Sequence, residues 1–301
     1  MAQPGRLVQL AVMNRLAFLA LAAAGILWGL GFPLGKLVLN ETSAAHMVLL
    51  RFAVAAVVSL PFVLRKEALG LFRSPVLLAG GALYAVAFLV QFEGLAHVSV
   101  TLAALLVGAM PALIAISARL LGEPVSRAAW LGVAAATLGA ALIAGMPDGA
   151  GSPLGVALSL GALLLFLAWI ILMRRAPKPA DPMAVPAVTV IVAALVLAPV
   201  VLLMHGPPRL DLSPVSWTAI IAQGGLSTLF ATAAWQYGLS RVGSASAGVF
   251  INIEPMMGAV LGVMLFGDHL TAALAVGGLM ILAGSFVVVL GDKSDAQPTP
   301  V

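Results

Sequence analysis

Cysteine is missing from all 301 residues, which excludes a disulfide framework, thiolate catalysis and a cysteine-ligated metal. Charge is scarce too: Asp, Glu, Lys and Arg supply 9% of the chain, against about a quarter in a soluble domain. So little charge excludes a soluble enzyme domain. Aromatic residues reach only 6%, so the places where they gather carry information. No His-Glu-x-x-His pair, nucleophile elbow or paired carboxylate stands out, and neither an enzyme, a metal site nor a cofactor is expected. The four histidines (His46, His97, His205 and His269) fall in connections between apolar runs or at their edges. Interfacial polar residues are ordinary there, and a pH-sensing role is the alternative.

Hydrocarbon fills the chain instead. Apolar residues make up 62% before the 31 glycines are counted, and the mean hydropathy is +1.14. With roughly 20 residues per crossing, the length holds about ten membrane-spanning helices and no large extramembrane domain. The apolar runs are unbroken and rich in Ala, Leu, Gly and Met, which excludes the alternating pattern of a β-barrel. Charge-free runs predict spans at 16–38, 47–64, 75–93, 99–118, 128–146, 154–173, 182–204, 216–240, 245–266 and 271–290. The first follows a basic stretch, but it continues through Trp28 to Leu39 and nine more follow, unlike a cleaved leader.

A pI near 10.0 points here to topology and not to nucleic acid. If the N-terminus is cytoplasmic, Arg6, Arg15, Arg65, Lys66, Arg73, Arg119, Arg127, Arg174, Arg175, Lys178, Arg241 and Lys293 lie on the inner side. Only Arg209 lies outside, and Lys36 and Arg51 fall inside spans, which accounts for all 15 bases. The positive-inside bias therefore predicts cytoplasmic termini in a bacterial inner membrane.

The chain also repeats itself. Gly80-Gly81-Ala82-Leu83 recurs as Gly224-Gly225-Leu226-Ser227, Gly94-Leu95 as Gly238-Leu239, Ala103 as Ala247 and Pro111 as Pro255, all at an offset of 144. Gly122-Glu123, Gly132 and Gly139 recur as Gly267-Asp268, Gly277 and Gly284 at an offset of 145. Each half then holds five spans. An odd number makes the second half enter the membrane from the opposite side, the inverted repeat typical of secondary transporters. The expected units are residues 1–146 and 154–291, joined by the turn-rich link 147–153, with a cytoplasmic tail at 292–301.

Several of these residues together resemble the EamA family of the drug/metabolite transporter superfamily. They are Trp28-Gly29 with Phe32-Pro33 and Lys36, Arg51-Phe52, the Gly94-Leu95-x3-Ser99-x3-Ala103 run, Pro111 followed by Gly122-Glu123, and the echoes in the second half. The resemblance implies an all-α membrane fold of ten helices with a central cavity between helices 1–4 and 6–9. It also implies alternating access, and export of amino acids and related metabolites, with aromatic amino-acid exporters as one branch. A proton-coupled multidrug carrier or a sugar or nucleotide-sugar carrier is the alternative. Trp28 stands where small multidrug relatives keep a glutamate, and phosphate carriers need more cavity bases than this chain offers. A membrane-embedded enzyme or a channel is the reading outside the class.

Polar and aromatic residues within the spans are the site candidates. Trp28, Phe32 and Lys36 fall at i, i+4 and i+8 on one face of helix 1. Tyr84, Phe88 and Gln91 share a face of helix 3, Phe166, Trp169 and Met173 one of helix 6, and Thr232, Trp235 and Gln236 one of helix 8. Glu254 is the deepest carboxylate, able to carry a proton or bind an ammonium, or to bond loosened backbone beside Pro255. Asn252 points about 200° away from it, so the two cannot line the cavity equally. Lys36, Arg51 and Glu93 lie at similar depth toward the outer ends, where Glu93 can pair with either base; the cluster is expected to close an outer gate or attract a substrate carboxylate, the alternative being snorkelling anchors and a topology-fixing ion pair. Pro111 and Pro255 are expected to kink helices 4 and 9 as paired hinges. Small residues at 128, 132, 136, 140 and 144 predict a close-packing ridge on helix 5. The expected partners are a small-molecule substrate and the lipid bilayer, with a monomer sufficient.

Overall fold

The computed structural model describes residues 4–145, 151–179, 181–239, 241 and 250–295. Among them the fold is helical throughout, apart from one isolated β-bridge between Val98 and Gly151. The helices are α1 (Pro4–Gly29), α2 (Gly31–Leu39), α3 (Ala44–Val63), α4 (Lys66–Leu71), α5 (Pro75–Ala96), α6 (Val100–Val107), α7 (Met110–Leu120) and α8 (Arg127–Gly145). The second half contains α9 (Pro153–Met173), α10 (Ala184–His205), α11 (Pro214–Ala222), a π-helical stretch (Gln223–Phe230), α12 (Ala231–Leu239), α13 (Ile253–Phe266) and α14 (Ala272–Asp295). Seven runs are long and apolar enough to cross a membrane: 15–39, 44–63, 75–96, 100–120, 153–173, 184–205 and 272–290. Of the other expected spans, the fifth and ninth appear as shorter apolar helices over 127–143 and 253–266. The eighth is divided by the π-helical stretch.

Hydroxyl caps start these helices, because the first backbone N–H groups have no partner within the helix. Ser43, Ser99, Ser126, Ser152, Ser213 and Thr271 each accept from the N–H three residues on. Gly122 (φ +84°) and Gly267 (φ +64°) follow the ends of α7 and α13 in the left-handed conformation that a Cβ disfavours. The Gly-acid pair of the repeat therefore sits at the same stop in both halves. The expected kinks are full helix breaks: at Gly108-Ala109, where both N–H groups bond carbonyls three residues back, and at Asn252. Each lies within a turn ahead of its proline, Pro111 or Pro255. A third break, at Leu30 ahead of Pro33, has no counterpart in α9.

Glycine sets the packing. A Cβ on Gly132 would meet the Gly284 carbonyl, and one on Gly139 the Gly277 carbonyl, with the reciprocal approaches equally close. As one index rises the other falls, so α8 and α14 cross antiparallel at backbone contact. Of the predicted ridge, Gly132 and Ala136 take part in this seam. Elsewhere contacts recur at constant offsets. Gly94 packs on Gly155 and Ser159, and Gly238 packs on Ala17 and Leu21; Gly81 packs on Thr189 and Val192, and Gly224 on Arg51 and Val54. The first pair of helices in each half is thus related by 138 residues. The third is related by 143 at the start of the π-helical stretch and 144 after it, so that stretch accommodates one inserted residue.

Candidate functional site

The helices enclose one large cavity of about 1040 Å³. Its walls are aromatic. Tyr84 stacks on Trp169 with ring centroids 4.8 Å apart, Phe88 meets Tyr84 edge-on at 4.7 Å and Phe166 at 5.1 Å, and across the cavity Trp28 lies 5.5 Å from Trp235. Phe32, Phe92, Met110 and Leu163 add to the apolar lining, while Gln91, Thr232, Gln236 and Glu254 supply polar groups. Such a wall strips water from an apolar or aromatic group and leaves a few polar atoms to orient it.

Of the residues predicted for the site, Trp28, Phe32, Tyr84, Phe88, Gln91, Trp169, Trp235, Gln236 and Glu254 all line this cavity. Asn252 does not. It is fully buried, and its Oδ1 accepts from the Ser285 hydroxyl at 2.6 Å, so it faces α14 while Glu254 faces the cavity. Lys36 is also displaced from the lining. Its Nζ donates to the carbonyls of Leu95 (2.9 Å) and Val98 (2.8 Å), neutralising the C-terminal end of α5. The expected pairing of Glu93 with Lys36 or Arg51 is not made: Glu93 is exposed and meets His97 at 3.3 Å, one helical turn away.

Arg51 lines the cavity with only 2% of its surface exposed. Its Nε donates to Thr228 Oγ1 (2.8 Å) and its Nη1 to Gln223 Oε1 (3.0 Å). The guanidinium carbon lies 4.4 Å from the Phe88 ring centroid and 5.1 Å from that of Phe92. Thr228 in turn donates to the Gln223 carbonyl five residues back (2.8 Å), the π-helical spacing. In a regular α-helix Gln223 and Thr228 would point about 140° apart; the wider turn brings both to Arg51. Sequence reading missed these two partners. Their one signal was polarity inside an otherwise apolar run.

The two ends of the cavity differ. Beyond Trp28 and Phe32, Lys36 holds α2 to the end of α5. Val98 bridges Gly151, Ser152 N–H donates to the His97 carbonyl (3.0 Å), and Asp268 accepts from the Thr101 N–H (2.8 Å) at the start of α6. Glu41 accepts from the Ser213 N–H (2.8 Å), from its hydroxyl (2.5 Å) and from the Ser216 hydroxyl (2.8 Å), bonds that hold its carboxyl below the usual range. That end is closed. At the other, the lining runs out to Arg174, Lys178, Asp181 and Arg241, bordered by the ion pairs Arg65–Asp181 (2.6 Å) and Arg174–Glu123 (2.7 Å). Residues 147–150 of the inter-repeat link lie outside the described residues.

A multi-pass helical protein folded round one amphiphilic cavity, closed at one end, has the build of a membrane transporter. The family model of the EamA-like transporter family matches twice, over residues 15–145 and 153–290, and the chain belongs to that family. It is similar to the uncharacterized transporter YyaM of Bacillus subtilis (strain 168), 24% identical over 284 residues that cover 89% of this chain and 91% of that one. A probable biotin transporter of Pseudomonas aeruginosa is 29% identical over 102 residues, 34% of this chain and 36% of the relative. A solved crystal structure superposes with a TM-score of 0.66 at 19% identity, covering 95% of this chain and 99% of that chain. At that identity the likeness extends to the fold.

Proposed function

We propose that this protein is a secondary carrier that exports small metabolites, chiefly amino acids including aromatic ones, across a bacterial inner membrane by alternating access. The aromatic wall of the cavity carries the reading. Tyr84, Phe88, Phe166 and Trp169 form one continuous surface on α5 and α9, sized for a planar side chain. Glu254 gives a substrate ammonium, or a proton, a partner in the same space.

In this reading ten helices form two inverted five-helix repeats. The double family match and the packing contacts that recur at fixed offsets support it. The basic end of the cavity is then cytoplasmic, both termini are cytoplasmic, and the conformation is the one open to the cell interior. A second reading, transport of a larger cofactor, draws only on the relative named as a probable biotin transporter.

The test is ligand-induced thermal stabilisation of the purified protein over a panel of amino acids, biotin and sugars, followed by counterflow in proteoliposomes. Aromatic amino acids are expected to stabilise most and to drive saturable counterflow. Trp169→Ala is expected to weaken aromatic substrates about three- to tenfold, from the loss of one aromatic pair, and leucine or alanine much less. Equal losses for both would reduce Trp169 to packing, and counterflow by no panel member would remove the carrier reading.

A further inference from the structure

We propose that Arg51, presented by the π-helical stretch, is the anchor for a substrate carboxylate. On this view the carboxylate is the obligatory pole of the substrate and an ammonium group is dispensable. The inference rests on the carrier reading above and deepens it.

The two halves pack alike, and this is where they part. The packing contacts place Thr189 in α10 as the counterpart of Arg51 in α3: each carbonyl faces the glycine of the helix opposite, Gly81 in one half and Gly224 in the other. The Thr189 hydroxyl bonds its own helix at Val185 (2.8 Å) and makes no hydrogen bond across the interface among the described residues. Arg51 reaches across to Gln223 and Thr228, and the one-residue π insertion falls in the helix it reaches. The insertion and the arginine occur in the same half-interface. A π turn is a poorer helix than an α turn, retained where it positions something.

What it positions is a cation with no carboxylate in direct contact. Both contacts to Arg51 go to neutral oxygens, and among the described residues no carboxylate forms a salt bridge with it. A buried guanidinium held only by neutral groups is costly unless an anion joins it. The Gln223 amide nitrogen, on the side chain whose oxygen accepts from Arg51, is buried without a hydrogen-bond partner among the described residues. Arg51 and Trp169 both line the cavity. Arg51 thus offers the cavity its guanidinium donors next to the Phe88 ring, which belongs to the aromatic wall that would take an apolar side chain.

Glu254 lies within electrostatic reach of Arg51 and lines the same cavity. A zwitterion can place its carboxylate on Arg51 and its ammonium toward Glu254. The two poles are unequal in one respect: a carboxyl can take up a proton and become neutral, whereas a guanidinium cannot lose one. A ligand with only a carboxylate leaves Glu254 free to protonate. A ligand with only an amine adds a second cation beside a buried, unpaired Arg51.

Three compounds that share one side chain separate these cases: phenylalanine, 3-phenylpropionate and phenethylamine. Each is measured on the purified wild-type protein by thermal shift and by competition against phenylalanine counterflow. Phenylalanine and 3-phenylpropionate are expected to stabilise and compete, and phenethylamine to do neither at tenfold higher concentration. Arg51→Gln is expected to weaken 3-phenylpropionate about 10- to 100-fold, the loss of one charge-assisted contact. Thr228→Val keeps the charge but releases its orientation, and is expected to raise the half-saturation concentration while leaving the maximal rate within about twofold. Phenethylamine binding as tightly as phenylalanine, or 3-phenylpropionate failing to bind while phenylalanine does, overturns the Arg51 assignment and leaves the carrier reading standing. Silence from all three, and from the wider amino-acid panel, overturns both. The comparison of compounds is made on the wild-type chain, so it holds even if Arg51→Gln does not fold.

Discussion

The two ends of the cavity are closed and bordered by different chemistry. At the closed end, backbone meets side chain: Lys36 on two carbonyls, Asp268 on an amide, Ser152 and Gly151 against His97 and Val98, and glycines that let α9 touch α5. At the open end the ion pairs lie near the surface, Arg174–Glu123 between two half-exposed side chains and Arg65–Asp181 between an exposed arginine and a mostly covered aspartate. Pairs of that kind contribute about 0 to 1 kcal/mol, whereas a buried charge-assisted bond contributes about 1.5–3 kcal/mol. The difference teaches that the bonds closing the cavity in this conformation lie at one end. Side-chain bulk points the same way. Gly25 and Gly29 bring α1 to backbone contact with α13, while their counterparts at the offset of 138, Leu163 and Leu167, cannot let α9 come as near to α7, and Leu163 is cavity wall.

The sharpest way to break the contrast is Gly155→Leu. A side chain there runs into His97 and Val98, so the closed end is expected to be forced apart with a loss of about 1–3 kcal/mol, read as a lower melting temperature and lost transport. Lys36→Met comes next. It leaves the Leu95 and Val98 carbonyls without their donor, about 1–2 kcal/mol. A cysteine placed at Phe32 is expected to become reactive from the closed side, a clean readout in a chain with no cysteine of its own. At the open end Glu123→Gln is expected to change stability by less than about 0.5 kcal/mol, because its partner Arg174 is largely solvated. An effect as large as that of Lys36→Met would show that the open end also carries a latch.

The smallest effect is a pH dependence at Glu41. Its carboxyl is held below the ordinary value by Ser213 and Ser216, so it stabilises the fold at and above the ordinary carboxylate range. That contribution fades as the pH falls through its lowered value. Glu41→Gln is expected to lower the melting temperature slightly at neutral pH and to match the wild type in strong acid.

Much of this was legible in the sequence because helical period fixes faces. Trp28 with Phe32 and Tyr84 with Phe88 were bound to share walls whatever the tertiary structure, and hydroxyl caps and glycine stops mark the helix ends. The role of Lys36 was not legible, since its acceptors are carbonyls, which every residue carries. Glu93 shows local geometry winning over distant pairing: His97 is one turn away, and among the described residues no Lys or Arg forms an ion pair with Glu93. Nor does the inserted π residue have a signature in composition. Aligning Gly80-Gly81 with Gly224-Gly225 hides it, and only the packing of Gly81 and Gly224 against equivalent partners brings it out.

The latch at Lys36 has a consequence for how this protein can drift. Because the ammonium bonds main-chain oxygens, its acceptors at positions 95 and 98 do not depend on side-chain identity, which there answers only to core packing. The donor has no such freedom, since no other side chain carries an ammonium on a stem of that length. Positions 95 and 98 are therefore constrained by their burial to apolar residues of similar volume, and position 36 by the contact itself, which is the pattern a substitution scan should return.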